Sequence, residues 1–178
     1  KNLTELSKMV VECNADLGIA VDPDVDRLVF VCEDGELFGE ENTLVACADY
    51  VLSKTPGSTV SNLSSSRALN DISNKHNQSH FYSAVGEVNV VDKMKECNAI
   101  IGGEGNGGVI YPESHYGRDS IVGIGLFLSL YVERGLVASK LLETYPKYFM
   151  IKEKINLSAS LNVDNILNQI AEKYKNEK

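Results

Sequence analysis

Between Leu17 and Arg134, short apolar runs of strand length alternate with stretches of helical period, and this alternation limits the possible folds more than any other feature. A helical pattern at Leu3, Leu6, Met9 and Val10 leads into strand-like Leu17–Val21, and Leu28–Cys32 reads as a second strand followed by an Asp34-Gly35 turn and Leu37-Phe38. A helix is predicted over about 41–52, stopped by Pro56-Gly57, and then come a strand over 59–63, a helix over 66–75, a strand over 80–83 and a helix over 88–97. A buried strand at 99–101 ends in the glycine-rich stretch GGEGNGGVIYPESHYGRD, after which 120–134 reads as a long apolar helix. The pattern predicts an α/β fold: a layered, three-layer-type domain with a mixed, largely parallel sheet, preceded by a partial βα segment. Beyond Lys140 the sequence reads as a C-terminal connecting segment, with a break at Tyr145-Pro146, a strand over 148–155 and a polar amphipathic helix over 163–175.

Seventeen Lys and Arg against twenty-five Asp and Glu leave a net charge of −8, which argues against a nucleic-acid partner. At 43 % hydrophobic and 24 % charged the composition suits an ordered globular chain. The longest apolar run, IVGIGLFLSLYV, is interrupted by Gly and Ser and soon meets Glu133 and Arg134, so no membrane span is expected. Cys13, Cys32, Cys47 and Cys97 show no CxxC spacing and are read as reduced, buried thiols. Sequons at Asn62 and Asn156 come without an apolar leader, and the expected compartment is the cytosol. The first residue is Lys1 within a helical pattern, so further chain is expected upstream.

Two loops carry chemistry. Asp22, Asp24 and Asp26 stand at i, i+2 and i+4 between two apolar strands. Their mutual repulsion is relieved if the alternating backbone turns all three towards a hard divalent cation, the alternative being a plain acidic turn. An EF-hand is rejected because Arg27 occupies the required glycine position and the flanks are strands. The second loop matches Gly-x-Gly-x-x-Gly at Gly103, Gly105 and Gly108, but it runs into extended Val109-Ile110-Tyr111-Pro112 and not into the helix a dinucleotide site needs. What remains is a close-approach turn bearing Glu104 and Asn106, groups suited to gripping hydroxyls unless Glu104 is merely solvated. His76 and His115 lack partner spacing and are read as surface residues.

The ordered motifs ADLGIAVDPDVDR, VGEVNVVDKM, GGEGNGG and HYGRDSIVGIGLFL resemble those of the α-D-phosphohexomutase superfamily, where a magnesium loop of usual form DGDGDR precedes a sugar loop often written GEMSGH. The resemblance implies phosphate exchange between an enzyme phosphoserine and a hexose phosphate, with four domains closing around the substrate. It implies Asp22, Asp24 and Asp26 as Mg2+ ligands, Arg27 as the catalytic contact to the reacting phosphate, and Glu104 and Asn106 as sugar-binding residues. An ion pair within the acidic loop is the ordinary reading of Arg27. Asn106 stands where Ser is frequent, Gly108 where His is frequent, and Glu87 where some members place a His, which leaves glucose, mannose and glucosamine phosphates open. Neither a TASHNP-type serine loop nor an RxSGTEP-like phosphate clamp occurs in the sequence. The implied division is residues 1–36 as the end of a second domain, 37–140 as the third domain and 141–178 as a link towards a fourth. The partners implied are hexose phosphate and the first and fourth domains of a parent enzyme, with the isolated chain inactive. The alternative from the residues alone is a non-enzymatic α/β module that binds a divalent ion or a carbohydrate.

Overall fold

A computed structural model describes residues 3–151, 153, 156 and 162–175. They fall into two units, one reaching Tyr148 and one starting at Phe149. In the first, α1 (Thr4–Glu12) packs on an antiparallel ribbon of β1 (Leu17–Val21) and β2 (Leu28–Cys32), in which Leu17 faces Cys32 and Val21 faces Leu28. The acidic loop is the turn of this ribbon. The chain continues as α2 (Glu40–Lys54), β3 (Thr59–Asn62), α3 (Ala68–Lys75), β4 (His80–Ser83), α4 (Glu87–Glu96), β5 (Ile101–Glu104), β6 (Gly108–Ile110), α5 (Ser120–Arg134) and α6 (Ala138–Glu143).

The second sheet has the order β4-β3-β5-β6, with β4, β3 and β5 parallel and β6 antiparallel to β5, as the alternation predicts. Side chains leave it by strand alternation. Val60 and Ile110 join Val90 and Met94 of α4 on one face, while Ile101 and Val109 join the core formed with α2, α3 and α5 on the other. Three layers result. Gly102 is required by the first interface, because a methyl there would lie 2.7 Å from Met94 Sδ and 2.9 Å from the Val60 carbonyl. The larger core is centred on aromatic rings: Phe30 stacks on Phe127 at 3.7 Å between centroids, and Phe38 meets Phe127 edge-on at 5.0 Å. Asp119 caps α5 by accepting from the backbone of Ile121 and Val122, and Gly135, at φ +60°, ends it in the left-handed region.

Asp49 of α2 is buried and accepts from His76 Nε2 at 2.7 Å, Arg134 Nη2 at 2.9 Å and the Tyr145 hydroxyl at 3.3 Å. His76, expected at the surface, is thus part of an ionic cluster that joins α2 to the ends of α3 and α5. Cys32 and Cys47 are buried, and burial pushes both thiols up to about 12, but Cys97 is half-buried and Cys13 exposed. The expected strand over 148–155 is not found in its described residues, which have no regular structure; an extended stretch without a neighbouring strand has nowhere to place its backbone hydrogen bonds. In the second unit α7 (Val163–Lys173) begins at Asn162, whose side chain accepts from the Asn165 backbone at 3.0 Å. Among the described residues no helix is long and apolar enough to cross a membrane.

Removing the Asp49 carboxylate strands the groups gathered on it. Asp49→Ala is expected to cost about 3 kcal/mol of stability in urea unfolding. His80 is held between Thr59 Oγ1 at 2.8 Å and Ser61 Oγ at 3.0 Å, and burial pushes its pKa from 6.5 down to about 4. The folded chain keeps this ring neutral while the unfolded chain protonates it. Its contribution is therefore complete above about pH 6.5 and is lost towards pH 4, by at most about 1.4 kcal/mol per pH unit. Urea titrations between those limits should show that slope, and His80→Gln should lack it.

Candidate functional site at the acidic loop and glycine turn

The loop between β1 and β2 folds around one of its own carboxylates. Asp22 Oδ1 accepts from the backbone N–H groups of Asp26 and Arg27, both at 3.2 Å, and the Val25 N–H donates to the Asp22 carbonyl at 3.0 Å. The turn forces Val25 to φ +57°, a conformation costly for a β-branched residue, at a position where the DGDGDR form carries glycine. The Val25 carbonyl accepts from the N–H of Ser120 at 3.2 Å, which pins the loop to the start of α5.

The carboxyls of Asp22 and Asp26 converge on the guanidinium of Arg27. Burial works to raise the Asp22 pKa, but the two backbone N–H donors, Asp26 and the Arg27 guanidinium together hold it below the ordinary value. Burial raises Asp26 further than Arg118 lowers it, and the neighbouring Asp22 adds to the rise. Asp26 Oδ1 is buried with no hydrogen-bond partner. Asp24 is exposed and, among the described residues, makes no hydrogen bond or ion pair. Likewise no three His, Cys, Asp or Glu side chains among the described residues are gathered around a common metal position, so the loop brings together two of the three expected ligands. Arg27 lies 3.6 Å from Asp22 Oδ2 and 3.9 Å from Asp26 Oδ1, a loose ion pair with its own loop.

The glycine motif is the hairpin joining β5 to β6, so the helix a dinucleotide site requires is replaced by an antiparallel strand. Gly107, at φ +91°, accepts the Leu28 N–H at 3.0 Å, and a methyl on it would collide with the Leu28 backbone. The turn is thereby docked on β2 directly beside the acidic loop. Glu104, 5 % exposed, is not a solvated turn residue. It accepts from Asn62 Nδ2 at 2.6 Å, Arg118 Nη1 at 2.7 Å and Asn106 Nδ2 at 3.4 Å. Asn62 is itself fixed by Ser64 and Ser65, and Ser65 Oγ accepts from the Gly105 N–H at 2.8 Å. His115 is exposed, as expected, and pairs with Asp119 at 2.9 Å.

Two residues of the site escaped sequence reasoning. Arg118 bonds both Asp26 and Glu104, and it lies inside the quoted HYGRDSIVGIGLFL motif without any local spacing that points to its distant partners. Glu41 accepts the Ser66 N–H at 2.9 Å through Oε2, while its Oε1 is buried, without a partner, next to Gly105. A cavity of about 340 Å³ opens at the site, lined by Asp22 and Arg27 from the acidic loop, Asn106 from the glycine turn, and Leu28 and Glu40.

The family profile described as phosphoglucomutase/phosphomannomutase, alpha/beta/alpha domain III, matches residues 40–148. Over 176 residues the chain is 30 % identical to a phosphoglucosamine/phosphogalactosamine mutase of Sulfurisphaera tokodaii, covering 97 % of this chain and 39 % of that protein. It is 34 % identical over 155 residues to a phosphoglucomutase/phosphomannomutase of Thermococcus kodakarensis, covering 86 % and 34 % respectively. The crystal structure of a phosphoglucomutase/phosphomannomutase family protein from Burkholderia thailandensis superposes with a TM-score of 0.72 at 27 % identity, over 82 % of this chain and 32 % of that one. A three-layer α/β/α domain of this topology is the third domain of the phosphohexomutases. The chain belongs to the phosphoglucomutase/phosphomannomutase family, and it spans between a third and two-fifths of the length of these curated relatives.

Relief of the Val25 strain gives a direct test of the loop geometry. Val25→Gly is expected to raise stability by about 0.5–1 kcal/mol, the left-handed penalty exceeding the entropic cost of glycine, and chemical denaturation measures it. A loss of stability would mean that the loop relaxes out of this conformation.

Proposed function

We propose that this chain supplies the cation loop and the sugar-reading turn of an enzyme that moves phosphate between positions 1 and 6 of a hexose by way of a phosphoserine. The observation that carries the reading is the common cavity, into which Asp22 and Arg27 project from one loop and Asn106 from the other. The donor set suits Mg2+, since the loop's side chains offer carboxylate oxygens and Asp26 Oδ1 is buried without a hydrogen-bond partner. Asp22, Asp24 and Asp26 would hold the ion, with exposed Asp24 turning inward to join the other two. Bound Mg2+ supplies positive charge against the phosphoryl group in transfer.

Arg27, exposed and loosely paired, is free to swing onto a phosphate with its planar fork of donors. Asn106 presents an amide to the sugar, and Glu104, held by Asn62 and Arg118, accepts from a hydroxyl with its remaining lone pairs. The phosphoserine and the phosphate clamp would come from other domains of the parent enzyme. The substrate class is hexose phosphates, in keeping with relatives named for glucosamine, glucose and mannose phosphates.

The test compares the 178-residue chain with the parent enzyme on the 1-phosphates of glucosamine, glucose and mannose, each primed with its 1,6-bisphosphate. The chain alone is expected to show no turnover and the parent to convert at least one sugar. Asp24→Asn in the parent is expected to lower kcat roughly a hundredfold. Turnover by the chain alone, or an undiminished rate in the variant, would refute the reading.

A further inference from the structure

Arg118 sits between β6 and α5 with its side chain 13 % exposed, and its guanidinium reaches carboxylates on three segments remote in sequence. Nη2 bonds Asp26 Oδ2, Nη1 bonds Glu104 Oε2 at 2.7 Å, and Nε lies 3.3 Å from Glu87 Oε2. The backbone beneath it is held as well: the Arg118 N–H donates to Glu87 Oε1 at 3.0 Å, Arg118 bridges to Ile110, and the Asp119 N–H donates to the Val109 carbonyl at 2.9 Å. The division of oxygens is informative. Arg118 occupies only Oδ2 of Asp26 and leaves Oδ1, buried and without a hydrogen-bond partner, 3.9 Å from the Arg27 guanidinium that also pairs with Asp22. On Glu104 it occupies Oε2, while Oε1 is taken by Asn62. A rigid planar fork holds two carboxylates in fixed directions, whereas an ammonium group, a point charge with three rotatable donors, can pair with both without setting that geometry.

We propose that Arg118 is a positioning residue shared by the two loops: it turns Asp26 so that Oδ1 faces a divalent cation beside Asp22, and it holds Glu104 at the glycine turn, so that events at one loop are felt at the other through a single side chain. The proposal rests on the reading of the acidic loop as a cation loop. Outer partners of ligating carboxylates set ligand orientation, and their loss commonly lowers metal affinity roughly 10- to 100-fold. Any effect of the cation on the glycine turn carried by Arg118 has an equal reverse effect on cation affinity.

The test uses the 178-residue chain, titrated with Mg2+ by calorimetry, with the side-chain amide signals of Asn62 and Asn106 followed by NMR as reporters on Glu104. Arg118→Met is expected to weaken Mg2+ binding roughly 10- to 100-fold, and Arg118→Lys to recover part of it. In the wild type, saturation with Mg2+ shifts both amide signals; in Arg118→Met, saturation leaves them in place. A merely structural strut would lower the unfolding midpoint and leave the Mg2+ affinity of the folded chain unchanged. That result, tighter binding in Arg118→Met, or equal amide shifts in both proteins would overturn the proposal. Should Arg118→Met fail to fold, Arg118→Lys replaces it with the same expected directions. If the wild type binds no Mg2+, the cation-loop reading itself fails, and Asp26→Asn then tests the link between loops without metal. Amide shifts on Asp26→Asn that vanish in the Arg118 variant support the link, and unmoved signals overturn it.

Discussion

The pairing of one guanidinium with Asp26 and Glu104 is the interaction on which the site's geometry depends. Taking these charges out of water costs several kcal/mol per ion, and their attraction repays it only with good geometry and nearly complete hydrogen bonding. Such a network adds little net stability, but it penalises any arrangement that separates its members. The acidic loop and the glycine turn come from different sheets, and both are anchored by backbone bonds before Arg118 joins them: the Val25 carbonyl to Ser120 and the Gly107 carbonyl to Leu28. The backbone brings the loops together, and the side chain sets the orientation of their carboxylates.

The surrounding fold makes this economical. Asn62 and Glu104 are the last residues of the adjacent parallel strands β3 and β5, the edge at which α/β sheets present ligand-binding groups. Behind that edge the polar groups give way to the stacked Phe30 and Phe127 and to the layers of α2 and α5. A second buried carboxylate, Asp49, performs the corresponding task away from the cavity, collecting His76, Arg134 and Tyr145 where three helices meet. The two clusters share a logic of one charged hub with partners from separate elements, and they differ in that only the first keeps a buried oxygen without a hydrogen bond.

Family membership and the partial coverage of the relatives bear on how this site is completed. In the proposed function the two loops would supply oxygen ligands, a guanidinium and hydroxyl-reading groups, the positioning half of phosphoryl transfer chemistry. In the proposed function the attacking group arrives from outside this chain. On that proposal Asp24, exposed to solvent, is the acidic residue that would have to turn inward.

By itself the sequence determined the alternation of strands and helices, the long apolar helix over 120–134 and the two loops, because hydrophobic period and glycine signals act over a few residues. Tertiary structure alone decided that Asp22 and Asp26 converge on Arg27 while Asp24 stays exposed, that His76 serves Asp49, that 148–151 form no strand, and that Arg118 joins the loops. These outcomes depend on partners brought together across the fold. No local spacing encodes a carboxylate at position 26 meeting a guanidinium at position 118; the antiparallel ribbon, the β5–β6 hairpin and the start of α5 must first converge.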